Sequence, residues 1–272
     1  MATTTFPATY ALPQRSLGQL IALYAKEVKY EIVKYARIPI FALSTILFPV
    51  MFYVLFGIVM APSGGARRAE IATYLLATMA CYGVMGVAMF SFGVGIAMER
   101  GQGWLQVKRA SPMPLPAYFL AKIANAVVFA TVISLVLLAV GEAFGGVRLG
   151  FFTAAKLIAI LVAGSIPFSA MGLALGYFAK PNSAPATVNL VYLPMSFCSG
   201  LWIPIFMLPR VLQKLALVLP PYHMSQLALN AIGVNPHPSP AWGHLEPLIG
   251  VTLLFLGIAA YGYWRDEGAS YG

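Results

Sequence analysis

Charge is scarce in this chain of 272 residues: only 9% are Asp, Glu, Lys or Arg, against 60% hydrophobic. Soluble domains carry roughly a quarter charged residues, so an ordinary water-soluble domain is excluded. Aspartate occurs once, at Asp266, and the three histidines, His223, His237 and His244, all fall late in the chain. An intramembrane protease needs a Ser/His, paired-Asp or metal constellation within its apolar segments, and these residues do not supply one. No G-x-x-x-x-G-K-S/T phosphate loop exists, so this polypeptide does not cradle ATP in that manner. His-Glu-x-x-His and Gly-x-Ser-x-Gly are missing too. The two cysteines, Cys81 and Cys198, sit inside apolar stretches, which argues against a disulfide framework or zinc site and for small apolar packing. The expectation is a chain with no catalytic residue, no metal ligand and no cofactor of its own.

What is present is long apolar runs. A bilayer core of about 30 Å needs about 20 mostly apolar residues per helix, and six stretches qualify: 39–60, 71–98, 117–141, 157–179, 187–208 and 247–264. Barrel strands would be shorter and would alternate in polarity. The fold class is therefore an all-α polytopic membrane protein with six transmembrane helices. Lys122, near the start of the third stretch, is expected to snorkel to the interface. The Lys and Arg residues divide eleven to six in favour of the side holding both termini, the 99–116 linker and the 180–186 loop. That bias places both termini in the cytoplasm, in a multi-pass protein of the cell inner (plasma) membrane. The net charge of +9 fits anionic lipid; no basic stripe with interleaved aromatics points to nucleic acid. The first forty residues are too long and mixed in charge for a signal peptide.

Three segments outside the spans carry pattern. Residues 1–38 form a leader in which Ser16 and Gln19 make a capping box. There Leu17, Leu20, Ile21, Tyr24, Val28, Ile32 and Tyr35 share one helical face opposite Lys26, Lys29 and Arg37. That is an amphipathic interfacial helix, and Glu27 and Glu31 beside its apolar stripe favour a protein neighbour in addition to membrane lipid. The linker 99–116 reads as a two-turn helix. Gly101 and Gly103 loosen the exit from the second span, Trp104, Leu105 and Val107 form a small apolar face, and Pro112, Pro114 and Pro116 force an extended return. A plain turn needs only about 2 to 8 residues, so a docking element is favoured. Near the end, Pro194, Pro204 and Pro209 with Gly200 interrupt the fifth stretch. Residues 209–235 then read as a re-entrant or surface-lying hairpin on the outer side. The six-span domain covers 39–264, and 265–272 is a cytoplasmic tail.

The run Glu99-Arg100-x-x-Gly103-Trp104-Leu105 followed by prolines, and the run 193–204 followed by Pro221-Tyr222-His223, resemble the permease subunit of type-2 ABC exporters. This family holds drug, polysaccharide and lipid export permeases. The chain differs from the usual pattern in having Pro220 where Asn is common. The resemblance implies a homodimer, or a pair with a related permease chain, and two copies of a cytoplasmic ABC ATPase that hold ATP and Mg. Those subunits would grip Glu99, Arg100, Gly101, Gly103, Trp104, Leu105, Lys108 and Arg109, and the interfacial helix around Tyr24, Lys26, Glu27 and Glu31. Within the spans, Asn125, Asn189, Tyr192, Phe197 and Trp202 are candidates to line a substrate path, and Glu142, Tyr222 and His223 to form an outer gate. A mostly apolar path favours a hydrophobic, drug-like or lipid-like substrate, with polysaccharide or lipid-linked glycan export as the alternative. A secondary transporter or channel is less favoured, because ionisable residues at mid-membrane are expected for ion coupling.

Overall fold

The computed structural model describes residues 16–61, 66–110, 113–236 and 238–269, and among them there is no strand. Helix α1 (Leu17–Ala36) begins at the expected capping box: the Ser16 hydroxyl accepts from the Gln19 amide at 3.3 Å, and the Gln19 side chain accepts from the Ser16 amide at 3.0 Å. It stops before Pro39, because a residue preceding proline is pushed to extended backbone, as Ile38 is. Pro39 opens α2 (Pro39–Phe52), which continues as a π-helical stretch, Tyr53–Val59. Next come α3 (Ala66–Gly101), the short α4 (Trp104–Ala110) and α5 (Leu115–Val140) with a π-helical turn, Gly141–Gly145. The chain closes with α6 (Phe151–Phe178), α7 (Ala184–Cys198), α8 (Arg210–Ala216), α9 (Pro220–Ala231) and α10 (Trp242–Ala269).

Helix α3 is the axis of the molecule. Its middle is almost wholly buried, with α2, α5, α6, α7 and α9 packed around it. The closest approach is to α6, through Gly172 and Gly176. A Cβ on Gly172 would lie 2.8 Å from the Met89 carbonyl oxygen, and one on Gly176 3.0 Å from that of Gly93. Lipid offers no hydrophobic drive between helices, so small residues that bring backbones together supply the packing. At 1.5 Å per residue the 36 residues of α3 reach about 54 Å, longer than the hydrocarbon layer. Its last turn therefore has the reach to stand at the membrane surface.

Among the described residues, four helical segments are long and apolar enough to cross a membrane: Arg67–Gly101, Pro116–Gly145, Phe151–Phe178 and Trp242–Asp266. The first expected span is a shorter apolar helix, Thr45–Val59, inside the α2 and π-helical run. The fifth departs from the expectation of 187–208, because α7 spans only 15 residues and ends at Cys198. Pro194 is accommodated within the helix, whereas Gly200 adopts φ +78°, a left-handed conformation that glycine alone takes without strain, just past the helix end. The stretch 209–235 forms two helices; α9 is largely buried and inserted among α3, α6 and α10. Helix α10 starts five residues before the expected 247 and exposes most of its length.

Glycines at the α3–α6 seam should be far less replaceable than those on the open side of α10. Gly172→Val should cost about 1–3 kcal/mol or more through overpacking, seen as a lower unfolding temperature in detergent. Gly250→Ala and Gly257→Ala, where nothing lies within 4 Å of the new Cβ, should leave that temperature unchanged or raise it.

Candidate functional site

The last turn of α3 ends in Glu99 and Arg100, whose side chains leave the helix about 100° apart and so reach different neighbours. Glu99 turns toward α1 and α5. Its Oε1 accepts from Lys34 Nζ at 2.6 Å and from Lys122 Nζ at 3.1 Å, and its Oε2 accepts from the Tyr118 hydroxyl at 2.5 Å. Lys122 also donates to Glu31 at 2.8 Å, and Lys34 to Glu31 at 3.0 Å. Two lysines and two glutamates thus form a neutral square joining α1, α3 and α5. Lys122 does not snorkel: its side chain is 0% exposed, because it lies two turns into α5 on the face that meets both carboxylates. Gly95 makes room for it, since a side chain there would collide with the Tyr35 hydroxyl, which itself donates to the Ser91 carbonyl at 2.8 Å. Burial pushes the Glu31 carboxyl upward, but the Lys122 and Lys34 ammoniums outweigh it and hold the group below its usual range.

Arg100 turns the other way. Its Nε and Nη2 donate to Asp266 of α10 at 3.1 and 2.5 Å, and its Nη1 donates to the carbonyls of Gly176 and Tyr177 at 2.9 and 2.8 Å. Those carbonyls belong to the last turn of α6, where orphan acceptors and the helix dipole both favour a cation. Two consecutive residues therefore tie the end of α3 to four other helices in one ion node.

Helix α4 follows at once. Gly103 bends the chain with φ +73°, and a Cβ on Gly101 would overlap the Pro181 ring. Leu105 turns inward and is 3% exposed, packed in a cluster with Phe92, Ile96, Tyr118 and Tyr177. Leu105, named among the residues an ATPase would grip, thus anchors α4 to its own chain. Trp104 and Val107 point outward, 56% and 60% exposed. Lys108 reaches Glu27 at 3.9 Å and lies over the Tyr118 ring; the Arg109 side chain, like residues 111–112, lies outside the described residues. On α1, Lys26 is exposed. Tyr24 lines an apolar groove of about 450 Å³ with Pro116, Phe119, Leu120 and Ile123. The face that reads as membrane-directed in the sequence thus packs in good part on α5, and Glu27 and Glu31 pair with lysines of their own chain.

The remaining candidates are scattered. Asn125 is buried and donates to Ser91 Oγ at 3.2 Å, between α5 and α3. Asn189 is exposed on α7. Tyr192 is buried and donates to the Tyr82 carbonyl at 3.1 Å. Trp202 stacks on Phe197 at 4.7 Å and donates to Ser196 at 3.0 Å, and Tyr82 and Phe52 abut its ring. Glu142 is exposed on the π-helical turn after α5, with no hydrogen bond or ion pair to Tyr222 or His223 among the described residues. His223 is buried and faces His244. Lys34, Tyr118, Lys122 and Asp266 were missed as site residues. The available signal was Lys122, the one charge within 117–141, since an ionisable residue inside a span is functional by default.

The model of the ABC-2 type transporter family matches residues 19–232, most of the chain and all of the node except Asp266. The chain is also 27% identical over 231 residues to "Putative transport permease YvfS" of Bacillus subtilis (strain 168), covering 85% of this chain and 93% of that protein.

Removing one member of a buried ion pair strands the others, so Lys122→Met should lower stability by about 3–5 kcal/mol. Adding Glu31→Gln, which leaves Glu99 matched by Lys34, should restore part of that loss in a double-mutant cycle of denaturation in detergent. The square also sets an acid limit. Because the folded value of Glu31 is depressed, its contribution is complete above the ordinary value of 4.5 and is lost as pH falls below it through the lowered one. Amide exchange in α1, corrected for intrinsic rates, should therefore be flat from neutrality to about pH 4.5 and rise below it. In Glu31→Gln that acid-dependent rise should shrink.

Proposed function

This chain belongs to the ABC-2 type transporter family, and we propose that it is the membrane permease of an ATP-driven exporter, worked from the cytosol through α4. The family implies pairing with an ABC ATPase subunit. In our reading two permease chains and two such ATPases assemble in the inner membrane, and ATP and Mg bind the ATPases alone. The six apolar stretches span the bilayer, with α2 and its π-helical continuation as the first and α7 as the fifth. Helix α1 lies along the interface, the α8–α9 hairpin enters from the outer side, and both termini are cytoplasmic.

One observation carries this reading: a two-turn helix presents Trp104 and Val107 outward while Glu99 and Arg100, directly before it, are fastened to α1, α5, α6 and α10. A push on α4 is thus delivered to the spans as a body, as rigid alternation between inward- and outward-open states requires. The gripping contacts belong to Trp104, Val107 and the exposed part of α1. Glu99 and Arg100 transmit force inside the chain and need not touch the ATPase. Leu105 and Gly103 hold the angle of α4. For the cargo, the aromatic cluster of Tyr82, Tyr192, Phe197 and Trp202 and the uncharged α7 support a hydrophobic, drug-like or lipid-like compound moving outward.

Co-purification of the cognate ATPase with the detergent-solubilised permease tests the handle. Aromatic residues dominate such interfaces and cost about 2 kcal/mol or more when truncated. Trp104→Ala with Val107→Ala should therefore reduce ATPase recovery at least about tenfold, with the unfolding temperature of the permease alone unchanged. Undiminished recovery would remove α4 as the docking element.

A further inference from the structure

The far end of α10 carries a second polar device. His244 lies 22 residues before Asp266, about 33 Å away along the helix at 1.5 Å per residue, so it stands on the opposite face of the helical layer from the ion node. Its Nδ1 meets Nδ1 of His223, on α9, at 3.0 Å. Both histidines are 5% exposed. The outer nitrogens are also engaged: His223 Nε2 lies 2.9 Å from the Leu217 carbonyl, and His244 Nε2 lies 2.6 Å from the Ser239 hydroxyl.

Only one arrangement of protons satisfies this row with both rings neutral. A carbonyl accepts and never donates, so His223 Nε2 carries a proton and His223 Nδ1 is an acceptor. His244 Nδ1 must then donate to it, which leaves His244 Nε2 to accept from Ser239. A first added proton is tolerated on His244 Nε2, because the Ser239 hydroxyl can rotate and accept. The next has only His223 Nδ1 to occupy, where it confronts the His244 Nδ1–H head-on, with two like charges in a buried site.

Among the described residues no carboxylate bonds to either ring to absorb that charge. The Tyr222 ring stands at 74° and 71° to the two imidazoles. The ionisable residues on this end of the surrounding elements are Tyr74 and Glu70 of α3, Lys156 of α6, Arg210 and Lys214 of α8, and Glu246 of α10. None of these makes a hydrogen bond or ion pair to either ring among the described residues. His237 lies outside the described residues.

We propose that His223 and His244 form a proton-operated clasp that fastens α9 to α10 at neutral pH and releases them when both imidazoles are charged. The inserted α9 is then freed to move on the side of the membrane opposite the ion node, under the pH of that side alone. Burial pushes the His223 imidazole downward, only partly opposed by its bond to Leu217. A depressed histidine holds its element fully above the ordinary value and progressively less as pH falls below it. Coupled groups of this kind titrate as a pair.

The test is amide exchange of the full chain in detergent, read over the α9 segment and the first turns of α10 and corrected for intrinsic rates. Between pH 7.5 and 5, opening of the wild type should rise by up to about tenfold per pH unit below roughly 6.5. His244→Asn keeps a donor toward His223 and removes the second charge, so its acid response should shrink well below that of the wild type while protection at pH 7.5 remains. His223→Gln keeps a donor toward Leu217 and gives an independent second arm with the same expectation. A wild type that is flat over this range would overturn the clasp, and so would either variant responding as strongly as the wild type. The readout needs no cargo or ATPase, so its outcome is separate from that of the transport reading.

Discussion

Four charges inside a chain this poor in charge persist only as a neutral set. Moving an isolated ammonium or carboxylate out of water costs several kcal/mol even after relaxation, and Lys122 has no access to water at all. Its burial is tolerable because Glu31 and Glu99 meet it from two other helices, with Lys34 balancing the second carboxylate. The condition works in both directions. If α1 is to leave α5, or α3 to slide along it, a charge must be uncovered. The arrangement of these three helices is therefore specified by electrostatics where apolar packing, with lipid as the competitor, specifies little.

The rest of the cytoplasm-directed end follows from that fixity in our reading. Helix α4 is too short to fold alone, so its orientation is borrowed. Gly103 sets the bend, Leu105 plugs a cluster between α3, α5 and α6, and Lys108 leans on Tyr118, the residue whose hydroxyl meets Glu99. Trp104 and Val107 stay exposed on the side of α4 turned away from that cluster. Arg100 adds α6 and α10 to the same base without competing for space with Glu99, since the two side chains diverge.

Much of this was legible in the sequence, for identifiable reasons. The capping box at Ser16, the α4 turn and the long apolar helices follow from local rules that tertiary packing does not override. What sequence reading places wrongly is direction. Helical periodicity finds the apolar stripe of α1 but not its neighbour, and a protein helix satisfies such a stripe as well as lipid does. Lys122 reads as snorkelling because a lysine near a helix end normally escapes to water, and nothing local reveals two carboxylates that are 91 and 23 positions away. The fifth stretch ends early because Gly200, rather than a proline, takes the left-handed turn. Asp266 falls in the expected tail, and only the continuation of α10 past it brings the carboxylate to Arg100.

The Arg100–Asp266 contact also imposes an order on synthesis. Its partners are separated by 166 positions, and at translation rates of about 5–20 residues per second Arg100 leaves the ribosome roughly ten to thirty seconds before its carboxylate exists. The carbonyls of Gly176 and Tyr177 become available midway through that interval. The nascent chain thus closes its base in two stages, first onto α6 and then onto α10. Until the second is complete, the Arg100 contact does not hold α10, and its largely exposed flank makes it the last helix to be claimed by the fold rather than by lipid or the insertion machinery.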